Sequence, residues 1–498
     1  MPMLRQSDNI TLDDKKVKVL EQKTVHGVTC VALITIIRRF LNFIVKIILA
    51  RLLEPTDFGL VAIGLLVINT FDLFRELGFS SALIYKGDDS EHTAANTAFI
   101  ILPIIGTILF VVSYISAHYI ATFFNNPTIE HIIRILSLTF IISSFGNVPY
   151  TLIEKELEFK KEVLPETISR IGYACVAIGL ALLGYGVWSI VYGQVISVAL
   201  LTVFVWLVSD WRPSFNFDIT VAKDLFGYGK HALAASIFVF IVTNIDDAII
   251  GKIIGITALG FYTVAYSIAT LPTTNITYLV TKVAFPMYSK LREDERVLKK
   301  AFLKTVNYVA MICIPVSFGI FILAPEIIHV VFGDKWSPSI PLLQILCVYA
   351  LSRSLLASCG SVMYAVGRPD INKNIMFSAS ILSTIMIPIF ALKVGLIGAT
   401  IAVALVYIFI LFMQYYYALG LVRAGFFDLI RVLYKPFIAS SGMLILIFMI
   451  KYFVEGVELL LLGMITGISS YLILISFLSN NEEKKEILNL LNYFRCRG

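Results

Sequence analysis

The sequence has few charged residues for its length: Asp, Glu, Lys and Arg make up 15% of 498 residues, whereas 58% are hydrophobic. A soluble protein of this size needs more polar residues to cover its surface, so this composition excludes a soluble fold. The mean hydropathy of +0.85 leads to the same conclusion. We therefore expect an all-α polytopic membrane protein, because helices satisfy their own backbone hydrogen bonds in lipid.

Motifs of bond-making chemistry are also missing. The chain has no phosphate-binding GxxxxGK[ST] loop, no HExxH and no GxSxG. Its six cysteines and six histidines show no metal-ligand spacing. The acidic pairs at 88–89 and 246–247 are a feature of some glycosyltransferases, but no soluble nucleotide-binding domain surrounds them. We expect a protein that is not an enzyme and uses no cofactor beyond a coupling H⁺ or Na⁺.

Long apolar runs fill the chain instead. A helix needs about 20 predominantly apolar residues to span a membrane. Fourteen segments meet this requirement: 28–50, 58–79, 95–123, 131–153, 166–184, 187–208, 231–251, 258–283, 303–323, 339–365, 373–392, 396–419, 435–453 and 457–478. The loops between them are too short for a folded extramembrane domain, so we expect the protein to act within the bilayer.

A short internal repeat divides these spans. "ARLLEPTDFGLVA" at 50–62 aligns with "GKIIGITALGFYT" at 251–263, which pairs Thr56 with Thr257 and Gly59 with Gly260. Each segment joins two spans, so the repeat predicts two parallel six-helix lobes related by a pseudo-two-fold axis along the membrane normal. The predicted order is an N-terminal segment, N-lobe, linker, C-lobe, helices 13–14 and an amphipathic tail, at 1–27, 28–208, 209–230, 231–420, 421–478 and 479–498.

The positive charges predict the orientation. With the N-terminus inside, 27 of the 40 lysines and arginines lie on inside segments, 5 lie outside and 8 lie within spans. Cytoplasmic loops of membrane proteins carry such an excess, so both termini are expected in the cytoplasm. Topology thus accounts for the net charge of +6, and nucleic acid is not an expected partner. The polar N-terminus also does not resemble a signal peptide.

Span 1 carries cations where they are costly. Thr35, Arg39, Asn42 and Lys46 share one helical face, and Arg38 lies beside it. An arginine at the bilayer centre costs about 3 kcal/mol on insertion scales, so this face must meet protein or water. Other spans add polar residues: Asn69, Asp72, Arg75 and Glu76 in span 2, Asp246 and Asp247 in span 7, Asn275, Tyr278 and Lys282 in span 8, and Arg353 in span 10.

Two interpretations of these residues stay open. The charges pair with each other and lock helices together, with Arg38 able to reach Asp72 or Glu76. Alternatively, they line a water-filled cavity for an anionic substrate, with carboxylates that bind a coupling ion. The cations of span 1 outnumber what pairing needs, which favours the cavity.

Several segments resemble a known family. "IILARLLEPTDFGLVAIG" (47–64), "FRELGFSSALI" (74–84), "LIEKELEFKKEV" (152–163), "WRPSFNFD" (211–218), "ALGFYTVAYSI" (258–268) and "FPMYSKL" (285–291) are similar to the polysaccharide transporter family, of the colanic-acid and teichuronic-acid exporter type. That family belongs to the multidrug/oligosaccharidyl-lipid/polysaccharide flippase superfamily. The resemblance covers about residues 25–420.

The resemblance implies twelve core helices in two lobes around a central cavity. It implies that undecaprenyl-diphosphate-linked oligosaccharide is flipped across the bacterial inner membrane by alternating access. Related flippases of lipid-linked peptidoglycan precursors are implied to use cations on their first spans. We therefore expect Arg38, Arg39, Lys46, Lys282 and Arg353 to bind the diphosphate.

The remaining candidate residues receive secondary roles. Thr35, Asn42, Asn69, Arg75, Asn275 and Tyr278 are expected to line the cavity, and Asp72, Glu76, Asp246 and Asp247 are candidates for ion coupling. Membrane lipids and other polysaccharide-assembly proteins are expected partners. A cation-coupled drug exporter of the same fold and a membrane polysaccharide polymerase are the competing functions.

Overall fold

A computed structural model describes residue 38 and residues 40–76, 91–155, 159–214 and 216–478. These residues form helices joined by turns and short irregular segments, with no strand among them. The helices are α1 (40–52), α2 (Pro55–Glu76), α3 (Glu91–Phe123), α4 (Thr128–Leu136), α5 (Leu138–Lys155), α6 (Phe159–Leu182), α7 (Val187–Val208), α8 (Ile219–Ile249), α9 (Ile256–Leu291), α10 (Glu295–Ile322), α11 (Ser339–Ala365), α12 (Pro369–Leu421), α13 (Phe426–Ile450) and α14 (Gly456–Leu478).

Ten helical segments in the described ranges are long and apolar enough to span a membrane. One of them, α12, has 53 residues and is interrupted at Gly395, where φ is 69° and ψ is −146°. A straight helix of that length would extend about 80 Å, far more than the ~30 Å hydrocarbon core. Gly398 packs on the carbonyl of Phe390, so the chain doubles back at Gly395. The predicted break between 373–392 and 396–419 falls at this turn.

Capping explains where two helices begin. The Asp218 carboxylate accepts hydrogen bonds from the backbone N–H groups of Thr220 at 2.8 Å and Val221 at 3.3 Å, so α8 starts at Ile219. This start lies well before the predicted span at 231, and the second half of the 209–230 segment is helix continuous with that span. Asp294 caps α10 in the same way.

The helices pack in three sets. In the first, α3 packs on α5, α5 on α7, and α7 on α6. In the second, α9 and α12 pack on α11, and α8 packs on α12. Helix α2 contacts both sets, through α4 in the first and through α8 and α9 in the second. The last two helices form a third set, since α13 packs on α10 and α14 packs on α13.

Candidate functional site

The two sequence repeats contact each other at the predicted outer end of the molecule. The hydroxyl oxygens of Thr56 and Thr257 are 3.1 Å apart, and these residues are 201 positions apart in the chain. This separation equals the offset of the repeat. Equivalent residues of two repeats meet in this way when they lie beside a two-fold axis.

Two glycines bring the backbones of α2 and α9 together at this contact. A methyl group on Gly59 would overlap the carbonyl oxygen of Ile256, and a methyl group on Gly260 would overlap that of Pro55. Pro55 and Ile256 occupy equivalent positions in the two repeats, so each repeat contacts the other in the same way. Small residues allow such close helix approach in membranes. The glycines are therefore needed because they lack a side chain.

Two cations extend the contact. The Arg51 guanidinium donates to the carbonyl of Val331 at 2.8 Å and to that of Val330, both at the end of a short helical segment, Ile327–Phe332, that follows α10. Lys252, the repeat equivalent of Arg51, donates to the Phe123 carbonyl at the end of α3. Each cation thus binds a helix C-terminus in the other half of the chain, where the helix dipole favours positive charge.

The segment after α10 forms hydrogen bonds to the C-terminal end of α1. Lys335 Nζ donates to the carbonyls of Arg51 at 3.1 Å and Leu53 at 2.7 Å, and Trp336 Nε1 donates to that of Ala50 at 2.9 Å. These bonds satisfy carbonyls that a helix end leaves without partners. We call the set Arg51, Thr56, Gly59, Lys252, Thr257, Gly260 and Lys335 the outer clasp; it joins the two repeats at one end of the molecule.

Span 1 carries its cations away from this end. Arg38 forms an ion pair with Glu166 of α6, whose other carboxylate oxygen accepts a hydrogen bond from Tyr150 at 2.6 Å. The pair is mostly shielded, with the two side chains 13% and 25% exposed. The sequence suggested Asp72 or Glu76 as partners for Arg38; the structure adds Glu166, and the side chain of Glu76 lies outside the described residues. Glu166 begins predicted span 5, and its charge at the start of a span was the available signal.

Lys46 lies two helical turns further along α1 and faces the other half of the chain. Its Nζ is 3.4 Å from the carbonyl oxygen of Thr263 in α9, and it interacts electrostatically with Asp247 of α8. Lys46 and Asp247 are both half-buried. The structure therefore brings together a predicted diphosphate ligand and a predicted coupling residue.

Asp246 and Arg353 lie in a separate cluster rich in tyrosine. Asp246 is 3% exposed and accepts a hydrogen bond from Tyr262. The Arg353 guanidinium donates to the hydroxyls of Tyr266 and Tyr349, each at 3.0 Å, and interacts electrostatically with Asp246. These tyrosines were not predicted from the sequence, although Tyr349 lies one helical turn before Arg353.

Asp72, one of the two acidic residues predicted on span 2, has a partner on its own helix. Asp72 forms an ion pair with Arg75 at 2.8 Å, and Arg75 also donates to the hydroxyl of Ser143 in α5. Three-residue spacing on a helix brings such side chains together. The structure thus pairs these two residues with each other within α2.

The other predicted residues are distributed unevenly. Asn42 is half-buried, and Asn69 and Lys282 are exposed. Lys282 acts electrostatically on Glu162 of α6, as does Arg38. Thr35 and Arg39, and the side chains of Glu76, Asn275 and Tyr278, lie outside the described residues.

Two cavities accompany these groups. One of about 650 Å³ has a mixed lining that includes Ser236 and Thr243 of α8, Tyr364 of α11, and Asn372 and Lys373 of α12. Thr243 is one turn before Asp247, so this cavity lies along the same helix as the Lys46 partner. The polar side chains of this mixed lining could hydrogen-bond a hydrated ligand.

The second cavity, of about 550 Å³, is apolar and is bounded by α9, α10, α13 and α14. Phe43 of α1, Pro315 of α10 and Tyr471 of α14 are among its lining residues. We call it the apolar groove. In the part of the chain that the structure describes, no group of three or more His, Cys, Asp or Glu residues is arranged to hold a metal ion.

Comparison with known proteins identifies the family. A family model described as polysaccharide biosynthesis protein matches residues 48–341. The chain belongs to this family. It is 30% identical to the teichuronic acid biosynthesis protein TuaB of Bacillus subtilis, over 75% of this chain and 77% of that protein. It is 27% identical to the lipopolysaccharide biosynthesis protein WzxC of Escherichia coli, over 88% and 89%. The family resemblance expected from the sequence is confirmed.

Solved structures identify the fold of this polysaccharide biosynthesis protein. It superimposes on the lipid II flippase MurJ in an inward closed conformation with a TM-score of 0.77 at 17% identity, over 90% of this chain and 98% of that one. A multidrug resistance MATE family transporter of the MOP superfamily, in an inward-facing conformation, gives 0.62 at 17% identity, over 78% and 94%. The chain is thus a multi-pass membrane protein, helical over most of its described residues, with the fold that these transporters share.

Proposed function

We propose that the protein moves oligosaccharide linked to undecaprenyl diphosphate from the inner to the outer leaflet of the bacterial cytoplasmic membrane. The observation that carries this proposal is the half-buried Lys46, which faces Asp247 and α9 inside a membrane-spanning fold. A half-buried cation in a membrane-spanning helix is energetically costly unless it binds another group of the protein or a ligand. The names of TuaB and WzxC, which refer to teichuronic acid and lipopolysaccharide biosynthesis, support a saccharide substrate.

The proposed architecture has fourteen spans, with two six-helix lobes followed by α13 and α14. The reciprocal contacts of Gly59 and Gly260 support a two-fold relation between the lobes. With both termini in the cytoplasm, the outer clasp closes the outer side. Substrate would then enter from the inner side, and opening of the clasp would release it outward by alternating access.

The diphosphate would bind near span 1. Arg38, Arg39, Lys46 and Lys282 stay its proposed ligands, because arginine and lysine form strong charge-assisted hydrogen bonds to phosphate oxygens. Arg38 would exchange Glu166 for phosphate, or hold Glu166 in place beside it. Arg353 is already bound by two tyrosine hydroxyls, so we assign it to positioning Asp246 rather than to the substrate.

The rest of the substrate would be divided between the two cavities. The saccharide, which carries many hydroxyl groups, suits the mixed cavity that contains Asn372 and Tyr364. The polyprenyl chain would stay in lipid and lie along the apolar groove. Asp247 is the proposed coupling residue, since protonation or sodium binding there would change its attraction for Lys46. The side chain of Asp246 lies deeper and would respond through Tyr262.

The decisive experiment removes the protein from its host and locates the lipid-linked oligosaccharide. We expect accumulation in the inner leaflet, measured by the access of a membrane-impermeant lectin or periodate to the saccharide in spheroplasts and in inverted vesicles. Accumulation in the outer leaflet would instead indicate a polymerase. Unchanged saccharide distribution with altered drug sensitivity would indicate the drug exporter.

A further inference from the structure

The lining of a third cavity contains none of the proposed diphosphate ligands of span 1. The cavity has a volume of about 630 Å³ and is formed where α10 and α13 begin. Two ion pairs hold these helix starts together: Lys299 with Asp428 at 2.6 Å and Arg423 with Glu295 at 2.9 Å. These two ion pairs connect the helices that form the walls of the cavity.

Its lining combines cations with an amide. Arg431 and Lys435 lie one turn apart on α13, and Asn307 faces them from α10. Arg431 is exposed and Lys435 is half-buried. Asp428, the nearby carboxylate, is bound by Lys299 and by the backbone N–H of Gly425, and it also attracts Arg431. Arginine, lysine and an amide N–H together are ligands for a phosphate group.

The surroundings of the cavity indicate which kind of phosphate it would take. Phe427 is 83% exposed, Ile430 is 44% exposed and Tyr434 is 40% exposed, all on the same helix as the two cations. Aromatic and aliphatic side chains beside cations are typical of helix ends at the membrane surface. Inorganic phosphate would gain nothing from these side chains, whereas the acyl or prenyl chain of a lipid would pack against them.

The cavity is also aligned with the apolar groove. Asn307 lies one turn before Met311 on α10, and Lys435 lies two turns before Met443 on α13; both methionines line the groove. The same two helices therefore connect the cavity to the apolar groove. A lipid bound there would have its headgroup among the cations and hydrocarbon beside the same helices.

We infer that the space between the starts of α10 and α13 is a binding site for the phosphate headgroup of a membrane lipid. Two lipids carry this chemistry: an anionic phospholipid of the leaflet, or the polyprenyl diphosphate of the proposed substrate. The site does not depend on the proposed transport function, because binding can be measured on the purified full chain.

The test is native mass spectrometry of the full chain with cardiolipin, phosphatidylglycerol, undecaprenyl diphosphate or zwitterionic phosphatidylcholine. The variant is Arg431→Gln/Lys435→Gln, and the matched control is Lys290→Gln/Arg292→Gln, which removes the same charge at exposed positions of the same end. We expect the first variant to lose binding of an anionic lipid by about ten-fold or more relative to wild type. The control should bind as wild type does.

Each outcome decides the question. Loss restricted to cardiolipin and phosphatidylglycerol assigns the site to leaflet phospholipid, and loss restricted to undecaprenyl diphosphate assigns it to the substrate. Wild-type binding by Arg431→Gln/Lys435→Gln, or an equal loss in the control, would overturn the inference. Arg431→Lys/Lys435→Arg keeps the charge, so restored binding in this variant separates loss of the site from misfolding.

Discussion

The hydroxyl groups of Thr56 and Thr257 meet at 3.1 Å although the residues are 201 positions apart. They occupy the same place in the two repeats, and the glycines that follow them, Gly59 and Gly260, form reciprocal backbone contacts. This side of the protein is therefore closed by two copies of one short motif. Changes at equivalent positions should have equivalent effects.

Replacing either glycine with alanine should oppose closure of the outer clasp. The added methyl group would overlap a carbonyl oxygen in Gly59→Ala and in Gly260→Ala, at a cost of about 1–3 kcal/mol or more. Labelling of Thr263→Cys from outside by a membrane-impermeant maleimide should rise, in a background without native cysteines. Gly179→Ala is the control, because a methyl group there meets nothing within 4 Å. Equal labelling in all three variants would contradict this role of the clasp.

Locking the clasp should stop the transport cycle. We expect Thr56→Cys/Thr257→Cys to be joined by a short bifunctional maleimide or by oxidation, because the two hydroxyl oxygens are already in contact. Export should fall to the level of the deletion strain and return when an oxidised bond is reduced. Each single cysteine variant, treated identically, should export normally. Full export by the cross-linked protein would show that the clasp does not open during the cycle.

Removing the positive charge of Lys46 should reduce export while the protein still inserts. For Lys46→Gln we expect about a ten-fold or greater loss, the size of one charge-assisted hydrogen bond to a phosphate. Lys46→Arg should retain much of the activity. Lys393→Gln, on an exposed lysine of the predicted outer surface, is the matched control. If Lys46→Gln and Lys393→Gln export equally well, Lys46 has a structural role only.

The Arg38–Glu166 pair should show energetic coupling. Arg38→Gln and Glu166→Gln each leave one charge without its partner, and the double variant removes both. A double-mutant cycle on thermal unfolding in detergent should give a coupling energy of about 1–3 kcal/mol. A coupling energy near zero would mean that the pair contributes nothing to stability. Export by the double variant then tests the separate question of whether Arg38 also binds diphosphate.

Much of the fold could be predicted from the sequence, because lipid imposes long apolar helices. Predicted span 187–208 coincides with α7, and the predicted break before residue 396 falls at Gly395. The start of α8 was harder to predict, since hydropathy detects burial in lipid whereas helix continuity depends on capping by Asp218. A polar segment such as the start of α8 can therefore extend a membrane helix beyond the part that hydropathy detects.

The site was predictable only in part. Helical periodicity placed Lys46 on an inward polar face, but it gave no information about partners on distant helices. Arg38 pairs with Glu166, which is remote in sequence, and Arg353 binds tyrosines on α9 and on its own helix. Partners on other helices depend on how the helices are arranged around one another, which a single sequence does not specify.

Most turns at the predicted outer end are very short, whereas the segment 323–338 between α10 and α11 is longer. Residues 53–54, 124–127, 183–186 and 451–455 each join two helices, and Gly395 alone reverses α12. On the proposed orientation, these turns offer little surface to an antibody, a protease or an inserted epitope tag. Probes placed in these turns in intact cells would have to be single side chains. Larger tags belong on the cytoplasmic side, where they leave the helix junctions intact.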